Sequence, residues 1–315
     1  MQQIDEYQYM ERILALERPG EKNFLAFYDH RLRACVTNPR LMLIPMDDHL
    51  VHRGDGVFET LKFVDGKLYQ LDAHIQRLRH SLETIFITPP APWKDIRKIV
   101  VEVARAAGVS NGLVSIFIGR GLGGFSLDFR ECEHSTLYVV ARRFPSIPHQ
   151  IWEKGVHACR TSIPARSKEL AHIKSVNYLN NVLMKREAIL KGCAYPLCFG
   201  PDHFLAEGAA ENIIIVDHSG QMVVPEMTHA LPGTTMLRAL ELIAREHDYV
   251  TRPISEDDIR VASEVILLGT SIDALSIVRY NGKPIHDVRP GPVSRRLRQL
   301  LQEDLLKNGT PLDEG

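Results

Sequence analysis

The chain has 315 residues, which is long enough for two domains because single hydrophobic cores stop growing near roughly 250–300 residues. Its apolar fraction of 44% and charged fraction of 24% are typical of an ordinary soluble globular protein. The formal net charge of −1 gives no general attraction to nucleic acid or to an anionic membrane. No apolar run approaches the roughly 18 residues of a membrane span. We therefore expect neither a nucleic acid nor a membrane as partner. Any phosphate that the protein binds must be recognised by residues close to it.

Residues 1–22 are predicted to form an N-terminal helical extension. The segment lacks both the basic region and the apolar region of a signal peptide. Instead Tyr7, Met10, Ile13 and Leu14 recur at helical spacing. This spacing predicts an amphipathic helix that lies on the body of the protein.

The five cysteines are odd in number and show no CxxC spacing. A disulfide framework or a zinc site is therefore not expected, and we predict no metal. Buried thiols in a reducing cytoplasm are the expectation for Cys35, Cys132, Cys159, Cys193 and Cys198.

A small α/β domain is predicted over residues 23–143. Asp65-Gly66 between two apolar runs predicts a hairpin over residues 57–71. Apolar residues at helical spacing predict a helix over residues 73–87, and a second helix is expected to end at Gly108. Strands are predicted at 113–119 and 136–141, and further apolar runs lie at 24–28 and 41–44.

A linker is predicted at residues 144–150, because the stretch around it is polar and contains prolines. A larger α/β domain is expected over residues 151–315. The predicted strands of this domain are 155–159, 194–199, 212–216, 222–224 and 264–268. Its predicted helices are 178–191, 234–246, 255–261 and 295–306. Residues 307–315 are expected to fray. Strand runs and helices are mixed rather than alternating, so two α+β domains fit better than a Rossmann sheet. No GxGxxG or GxxxxGK[ST] motif joins a predicted strand to a predicted helix, which argues against a dinucleotide or P-loop site.

Lys174 is the first candidate for chemistry. It precedes a predicted helix and lies between apolar residues that favour its burial. Burial lowers the pKa of a lysine, and a neutral amine is what a Schiff base requires. Taken alone, the position of Lys174 fits a surface lysine at a helix start better than it fits a Schiff-base lysine.

Glu207 is the second candidate, at the entrance to the apolar strand 212–216 and among small residues. A carboxylate in that position can approach a flat ring closely, and a pyridine nitrogen needs such a partner to stay protonated. The alternative is a capped loop with solvated glutamates.

Two loops are candidates for binding an anion. Gly233, Thr234 and Thr235 precede an amphipathic helix, and amides and hydroxyls at a helix N-terminus form an anion site. The alternative is ordinary N-capping by threonine. Gly269-Thr270-Ser271 follows a predicted strand and can supply further donors.

Together these segments identify a family. The chain resembles the class IV, or fold type IV, pyridoxal-phosphate enzymes, which include branched-chain aminotransferases, D-amino acid aminotransferases and aminodeoxychorismate lyases. The resemblance covers residues 24–306. It is carried by HRGDGVFE at 52–59, HIQRL at 74–78, IKSVNYL at 173–179, EGAAEN at 207–212, LPGTT at 231–235 and LGT at 268–270. The early text IPMDDH at 44–49 is most similar to the D-aminotransferase and lyase subgroup.

The resemblance implies a two-domain fold, with a smaller N-terminal α/β sandwich and a larger C-terminal pseudo-barrel domain carrying the lysine. It also implies pyridoxal 5'-phosphate as cofactor. Lys174 matches the Schiff-base lysine, which afterwards moves a proton at the substrate Cα, and Glu207 matches the partner of the pyridine nitrogen. The other cofactor-binding positions implied are Arg77, Thr234, Thr235 and Thr270 at the phosphate, with Gly233 and Gly269 in the same loops, Leu231 on the ring, and Tyr178 near the 3'-oxygen.

The substrate side departs from the family patterns. Branched-chain enzymes carry Tyr-x-Arg on the strand that here reads SIFIGRG at 115–121, and D-amino acid enzymes carry Arg-x-His where this chain has LGGFSL at 122–127. Arg53 can bind a substrate carboxylate or be solvated at a subunit edge. Phe58, Thr60, Arg120 and Ser271 are the other candidate substrate residues.

The function expected from the resemblance is an aminotransferase that acts on a D-amino acid or a branched-chain amino acid and a 2-oxo acid by a ping-pong cycle. One alternative is an aminodeoxychorismate lyase, which the text RGLGG at 120–124 favours and Gly269-Thr270-Ser271 disfavours. Another alternative is a non-catalytic binder of the cofactor or of another phosphorylated ligand. The resemblance also implies a homodimer in which the neighbouring subunit closes the site.

Overall fold

The structure, a computed structural model, describes residues 1–144 and 147–313. These residues divide into two compact units, the first made of residues 1–144 and 309–313 and the second of residues 147–308. Each unit contains one large sheet with helices around it. The predicted α+β class with two domains is confirmed.

The first unit is built on a seven-stranded antiparallel sheet. Its strands, numbered in chain order, are β1 Phe24–Asp29, β2 Ala34–Val36, β3 Gly56–Val64, β4 Lys67–Leu68, β5 Gly112–Gly119, β6 Thr136–Arg143 and β15 Thr310–Pro311, and their spatial order is β15-β4-β3-β5-β6-β1-β2. The predicted Asp65-Gly66 hairpin joins β3 to β4. Both turn residues have positive φ (49° and 71°), which matches the twist of the paired strands.

The helices of the first unit are α1 Glu6–Ala15, α2 His49–His52, α3 Leu71–Thr84 and α4 Trp93–Ala106. Helix α4 buries Ile96, Val100 and Val103, which recur at helical spacing. The predicted N-terminal helix is present as α1, capped by Asp5, but none of its residues is buried. Arg40 attaches its end to the unit, since Nη1 donates to Leu14 O at 2.5 Å.

The second unit contains a mixed eight-stranded sheet. Its strands are β7 Val156–Arg160, β8 Tyr195–Leu197, β9 Asn212–Val216, β10 Met222–Val224, β11 Tyr249–Thr251, β12 Glu264–Gly269 and β13 Asp273–Tyr280 in the order β11-β10-β9-β12-β13-β7-β8, with β14 Lys283–Pro284 paired to β13. Ile213, Val265 and Ile277 from three of these strands belong to one buried cluster. Every residue of β9 is buried, so this strand lies in the interior of the unit.

The helices of the second unit are α5 His149–Lys154, α6 Lys168–Ala171, α7 Leu179–Leu190, α8 Thr234–Ile243, α9 Glu256–Val261 and α10 Pro292–Asn308. Helix α8 buries one face, including Met236, Leu240 and Ile243. Ser255 and Asp258 cap α9 reciprocally. Across the described residues, no helix combines the length and the apolar character that crossing a membrane requires.

Three predicted boundaries differ from the structure. Pro145 and Ser146 of the predicted linker lie outside the described residues, and its last two residues belong with α5, which begins at His149. Residues 309–313 belong to the first unit rather than to a domain spanning 151–315, because β15 pairs with β4 through Thr310 and Leu68. The predicted fraying is wrong for residues 307–311, since α10 continues to Asn308 and β15 follows it, and residues 314 and 315 lie outside the described residues.

Candidate active site

Lys174 lies in the short segment between α6 and α7 of the second unit. Its neighbour Ile173 is buried and Lys174 itself is partly buried. The amine Nζ donates a hydrogen bond to the Tyr178 hydroxyl at 3.2 Å and lies 5.7 Å from the centroid of that ring. The lysine side chain is thus held beside the first turn of α7 rather than extended into solvent.

Arg166 braces this segment from an adjoining loop. Its guanidinium donates to Ile173 O at 3.1 Å and to Asn181 Oδ1 at 3.0 Å. The same group lies 5.0 Å from the centroid of the Tyr178 ring, within the range of a cation–π contact. Arg166 therefore fixes both the backbone before Lys174 and the tyrosine that contacts it.

Glu207 is a carboxyl group with few charge partners at close range. It accepts a hydrogen bond from Leu231 N at 3.0 Å. Burial raises the pKa of Glu207 to about 7, and the Leu231 amide, Arg166 and Lys174 offset that rise only in part. A carboxyl with this pKa exchanges a proton near neutrality and gains stability from a cationic partner.

The loop before α8 is packed closely against the start of β9. Asn212 Nδ2 donates to Leu231 O at 2.7 Å. A Cβ on Gly233 would lie only 1.8 Å from Asn212 Oδ1, so this approach requires glycine. Thr234 and Thr235 are buried at the first positions of α8. The N-terminus of α8 therefore follows directly after the Glu207–Leu231 contact.

The second loop, Gly269-Thr270-Ser271, adjoins the residues that follow Glu207. A Cβ on Gly269 would lie 3.6 Å from Glu211 Cγ, which is an ordinary contact distance. Burial raises the pKa of Glu211, which accepts a hydrogen bond from Ala210 N at 3.0 Å. Thr270 is partly buried and Ser271 is exposed. The loop before α8 thus contacts Glu207, and the loop at Gly269 lies next to Glu211. Both predicted anion loops therefore adjoin the segment 207–211.

Comparison with known proteins shows which family has these features. The family model described as amino-transferase class IV matches residues 56–280. The chain is 32% identical to a D-amino-acid transaminase, chloroplastic, of Arabidopsis thaliana, over 98% of this chain and 83% of that protein. The chain belongs to the class IV aminotransferases. A putative branched-chain-amino-acid aminotransferase of Methanocaldococcus jannaschii is 27% identical, over 83% of this chain and 91% of its own length.

The fold of this class IV aminotransferase is similar to that of solved branched-chain aminotransferases. The branched-chain amino acid aminotransferase of Thermobaculum terrenum, solved in its PLP-form, superposes with a TM-score of 0.81 at 19% identity, covering 93% of this chain and 100% of that one. The branched-chain enzyme of Escherichia coli gives 0.82 at 20% identity, covering 91% and 95%. The fold type IV class expected from the sequence is confirmed.

In the first unit of the aminotransferase, Arg77 is held by a fully buried carboxylate. Its Nε donates to Glu59 Oε1 at 2.6 Å and its Nη2 to Glu59 Oε2 at 2.9 Å. The ring of His74 contacts the same Oε2 through Nδ1 at 2.7 Å. Burial alone would raise the pKa of Glu59, but Arg77 and His74 hold it well below its usual range. The guanidinium is therefore fixed in orientation before any ligand binds.

Arg53 and Arg120, two predicted substrate residues, contact neighbouring backbone and side chains. Arg53 is exposed, and its Nε donates to Ser126 O at 3.3 Å while Nη2 donates to Phe125 O. Arg120 pairs with Asp55 through two nitrogens, one at 3.0 Å from Oδ1, and also donates to Ile85 O at 3.0 Å. Both guanidiniums thus join loops of the first unit.

Phe58 and Thr60, two further predicted substrate residues, lie on β3 of the first unit. Phe58 stacks on Phe117 with ring centroids 5.8 Å apart. Thr60 Oγ1 shares a hydrogen bond with Ser115 Oγ at 2.9 Å. Both contacts are across β3 and β5, so these side chains are at least partly used in sheet packing.

The structure brings one group of predicted residues together within the second unit. They are Lys174, Tyr178, Glu207, Leu231, Gly233, Thr234, Thr235, Gly269 and Thr270, whereas Arg53, Phe58, Thr60, Arg77 and Arg120 belong to the first unit. Arg166, Asn212 and Glu59 were not predicted as functional. Arg166 follows an alanine in a loop without a motif, whereas Asn212 and Glu59 end the motifs EGAAEN and HRGDGVFE and were thus within reach of the sequence.

Proposed function

We propose that this aminotransferase uses pyridoxal 5'-phosphate, held by Lys174, to move an amino group between an amino acid and a 2-oxo acid. The observation that carries the proposal is the combination, within one unit, of a partly buried amine on Tyr178 and a partly buried carboxyl with a pKa of about 7. An ordinary surface lysine and a solvated glutamate would show neither property.

The residues present fit this cofactor. When bound, it supplies a protonated ring that takes up the negative charge developing at the substrate Cα. Glu207 would keep the ring nitrogen protonated, because a cation at that point repays the cost of burying the carboxylate. Thr234 and Thr235 at the start of α8 would bind the phosphate, with Thr270 beside them. Phosphate binding remains the role we propose for Arg77, whose guanidinium Glu59 already orients within the first unit.

Lys174 has two tasks in this proposal. Its Nζ would anchor the cofactor. Once the substrate amine has taken its place, the same Nζ would act as general base towards the proton on the substrate Cα, and then as general acid that delivers this proton to the carbon that retains the amino group. Tyr178 OH, 3.2 Å from Nζ, keeps the amine near its working position. Arg166 holds the tyrosine and the backbone of Ile173 in place. Lys174 thus stays within reach of the reacting carbon through both half-reactions.

We propose a D-amino acid as the first donor to test. The Arabidopsis thaliana protein that supports this choice is named a D-amino-acid transaminase and aligns over 98% of this chain. Branched-chain donors are the second choice, and the Methanocaldococcus jannaschii relative supports them. Neither Tyr-x-Arg at 115–121 nor Arg-x-His at 122–127 is present where the resembling enzymes carry them, so the donor must be recognised by other side chains.

Borohydride reduction of the purified holoenzyme, followed by peptide mass spectrometry, tests the proposal. We expect the visible absorbance to disappear and the phosphopyridoxyl group to appear on Lys174. Lys174→Ala should be colourless, whereas the matched variant Lys185→Ala on α7 should keep the colour. Label on another lysine, or equal colour in Lys174→Ala, would contradict the assignment.

A panel of D- and L-amino acids with 2-oxoglutarate tests the reaction. We expect amino transfer from at least one D-amino acid or branched-chain donor, with formation of its 2-oxo acid. Release of pyruvate from aminodeoxychorismate without any amino transfer would instead establish the lyase reaction.

We also propose a homodimer in the cytoplasm. Leu179, Val182, Ile189 and Leu190 on α7 are 60–69% exposed, which is more apolar surface than one helix usually leaves to water. Light scattering should give about twice the mass of the 35.6 kDa chain, and a monomer would contradict the proposal. The Arabidopsis thaliana relative is chloroplastic by name, so location is tested separately by fractionation.

A further inference from the structure

The loop that follows β5 is packed against the segment around α2. His49 N donates to Gly121 O at 3.0 Å, and Gly123 N donates to Asp47 O at 3.2 Å. Gly121 has a φ of 127°, and a Cβ there would lie 1.9 Å from His134 O. The backbone of this loop is therefore enclosed on two sides and requires glycine at position 121.

Side chains of the same segment bind the rest of the loop. His49 is 2% exposed and contacts Gly124 O through Nε2 at 3.1 Å. A carbonyl oxygen only accepts hydrogen bonds, so His49 must carry a proton on Nε2. Arg53 donates to the next two carbonyls, Phe125 O and Ser126 O. Three consecutive carbonyl groups are thus bound by two side chains.

His52 completes the contact without any hydrogen bond from its ring. It stacks on Phe125 with ring centroids 4.6 Å apart and meets His49 edge-on at 5.0 Å. Both ring nitrogens of His52 are buried, and within the described residues neither has a hydrogen-bond partner. Buried polar groups without partners are rare in proteins and destabilise them. The His52 ring thus has two buried nitrogens without partners, and its main contact is the stack on Phe125. We infer that this ring holds Phe125 in place.

The segment that provides these side chains is itself anchored to the sheet. Asp48 is fully buried and caps α2 by accepting a hydrogen bond from Leu50 N at 2.9 Å. It also accepts from Thr136 Oγ1 and Tyr138 OH, both at 2.8 Å and both on β6. The segment around α2 is thus fixed to the sheet and supports the loop.

We propose that His49, His52 and Arg53 form a clamp that fixes the backbone of residues 121–126 and thereby determines which substrates the enzyme accepts. Arg53 is in this view a positioning residue that acts through the loop, and it does not bind the substrate carboxylate. The part concerning substrates rests on the proposed function, because class IV aminotransferases resembling this chain carry substrate-binding residues at this point of the sequence. The clamp itself rests on the contacts alone.

Hydrogen–deuterium exchange and steady-state kinetics of the holoenzyme variant Arg53→Ala test the clamp. We expect peptides covering residues 121–128 to exchange at least about tenfold faster, because local opening becomes easier. KM for the amino donor should rise about tenfold and kcat should change little, and the preference between a small and a bulky donor should shift. Arg79→Ala, which removes another exposed arginine of the first unit, should change none of these.

Two further variants separate the clamp from the alternatives. Arg53→Lys keeps the charge but lacks the rigid planar fork that reaches both carbonyls, so exchange should lie between wild type and Arg53→Ala. His52→Phe keeps the ring stack and removes the buried nitrogens, so it should raise the melting temperature and keep the loop protected. A raised KM with unchanged exchange in Arg53→Ala would overturn the clamp in favour of direct carboxylate binding. Unchanged exchange and unchanged KM would overturn it in favour of a solvated arginine. If the protein transfers no amino group, exchange still decides the clamp and only its link to substrates fails.

Discussion

Two glutamates, one in each unit, have pKa values shifted in opposite directions, although Glu59 is fully buried and Glu207 only partly. Glu59 in the first unit is fully buried and accepts two hydrogen bonds from Arg77 and one from His74, which hold its pKa well below the usual range. Glu207 in the second unit accepts a hydrogen bond from the Leu231 amide, and burial raises its pKa to about 7. Burial is the largest contribution in both cases, so the difference comes from the cations in direct contact.

In the function that we propose, the difference separates a structural carboxylate from one that binds the cofactor. Glu59 has its cations already, so its role is to orient Arg77. Glu207 lacks a directly bonded cation among its described contacts, and such a carboxyl gains most from a protonated ring nitrogen. Removal of Glu59 should therefore act on folding and cofactor retention, whereas Glu207 should act on chemistry and on the pH dependence of the cofactor-free protein.

The largest expected effect is that of Glu59→Ala on folding. The substitution leaves the Arg77 guanidinium without its carboxylate and the His74 ring without its hydrogen-bond partner, and breaking a buried ion pair costs about 3–5 kcal/mol of unfolding free energy. Urea denaturation of the cofactor-free protein measures this loss. Glu83→Ala, which breaks the exposed pair with Arg79, should cost less than about 1 kcal/mol.

Glu59→Gln keeps the shape of the side chain and is the safer variant if Glu59→Ala does not fold. We expect it to release the cofactor more readily on dialysis, because Arg77 loses the charge that orients it. An equal loss of stability in Glu59→Ala and Glu83→Ala would mean that the buried pair adds nothing.

The second effect concerns the pH dependence of the cofactor-free protein. The folded pKa of Glu207 is raised above 4.5, so its contribution to stability is complete below pH 4.5 and is lost as the pH rises through about 7. The loss is at most about 3 kcal/mol. Unfolding curves from pH 4.5 to 8 should show it as the difference between wild type and Glu207→Gln. Parallel pH profiles for the two proteins would show that Glu207 has no raised pKa.

The smallest effect is that of Tyr178→Phe. The hydroxyl contributes one hydrogen bond to the Lys174 amine, worth roughly 1 kcal/mol, so kcat should fall about fivefold. The melting temperature should not change measurably, since the ring and its contact with Arg166 remain. A loss of stability comparable to that of Glu59→Ala would assign Tyr178 to the structure rather than to the reaction.

The sequence predicted most elements because their periodicity or turn residues are distinctive. The Asp65-Gly66 hairpin and helix α4 are examples, each with its predicted residues in place. Strand β13 was not predicted, although it lies between β12 and β7 in the sheet. Seven of its eight residues are buried, so the alternation that distinguishes a strand is missing. Strand β15 has two residues, too few for any periodic signal.

The candidate site was predictable where motifs exist and not where contacts are long-range. Lys174 and Glu207 follow from the family resemblance, and their environment agrees with the chemistry expected of them. Arg166 has no motif, and its contact with Tyr178 depends on how the loops before α7 fold. The use of Arg53 as a support for Phe125 O and Ser126 O likewise depends on a contact between residues 72 or more positions apart.

The infrared carboxyl region of Glu207 tests the central contrast most directly. One pH unit below its pKa of about 7, the cofactor-free wild type should show a protonated carboxyl band that Glu207→Gln lacks. Addition of pyridoxal 5'-phosphate should remove the band, because a protonated ring nitrogen favours the ionised carboxylate. Identical spectra of the two cofactor-free proteins, or a band that persists with the cofactor bound, would contradict the role assigned to Glu207.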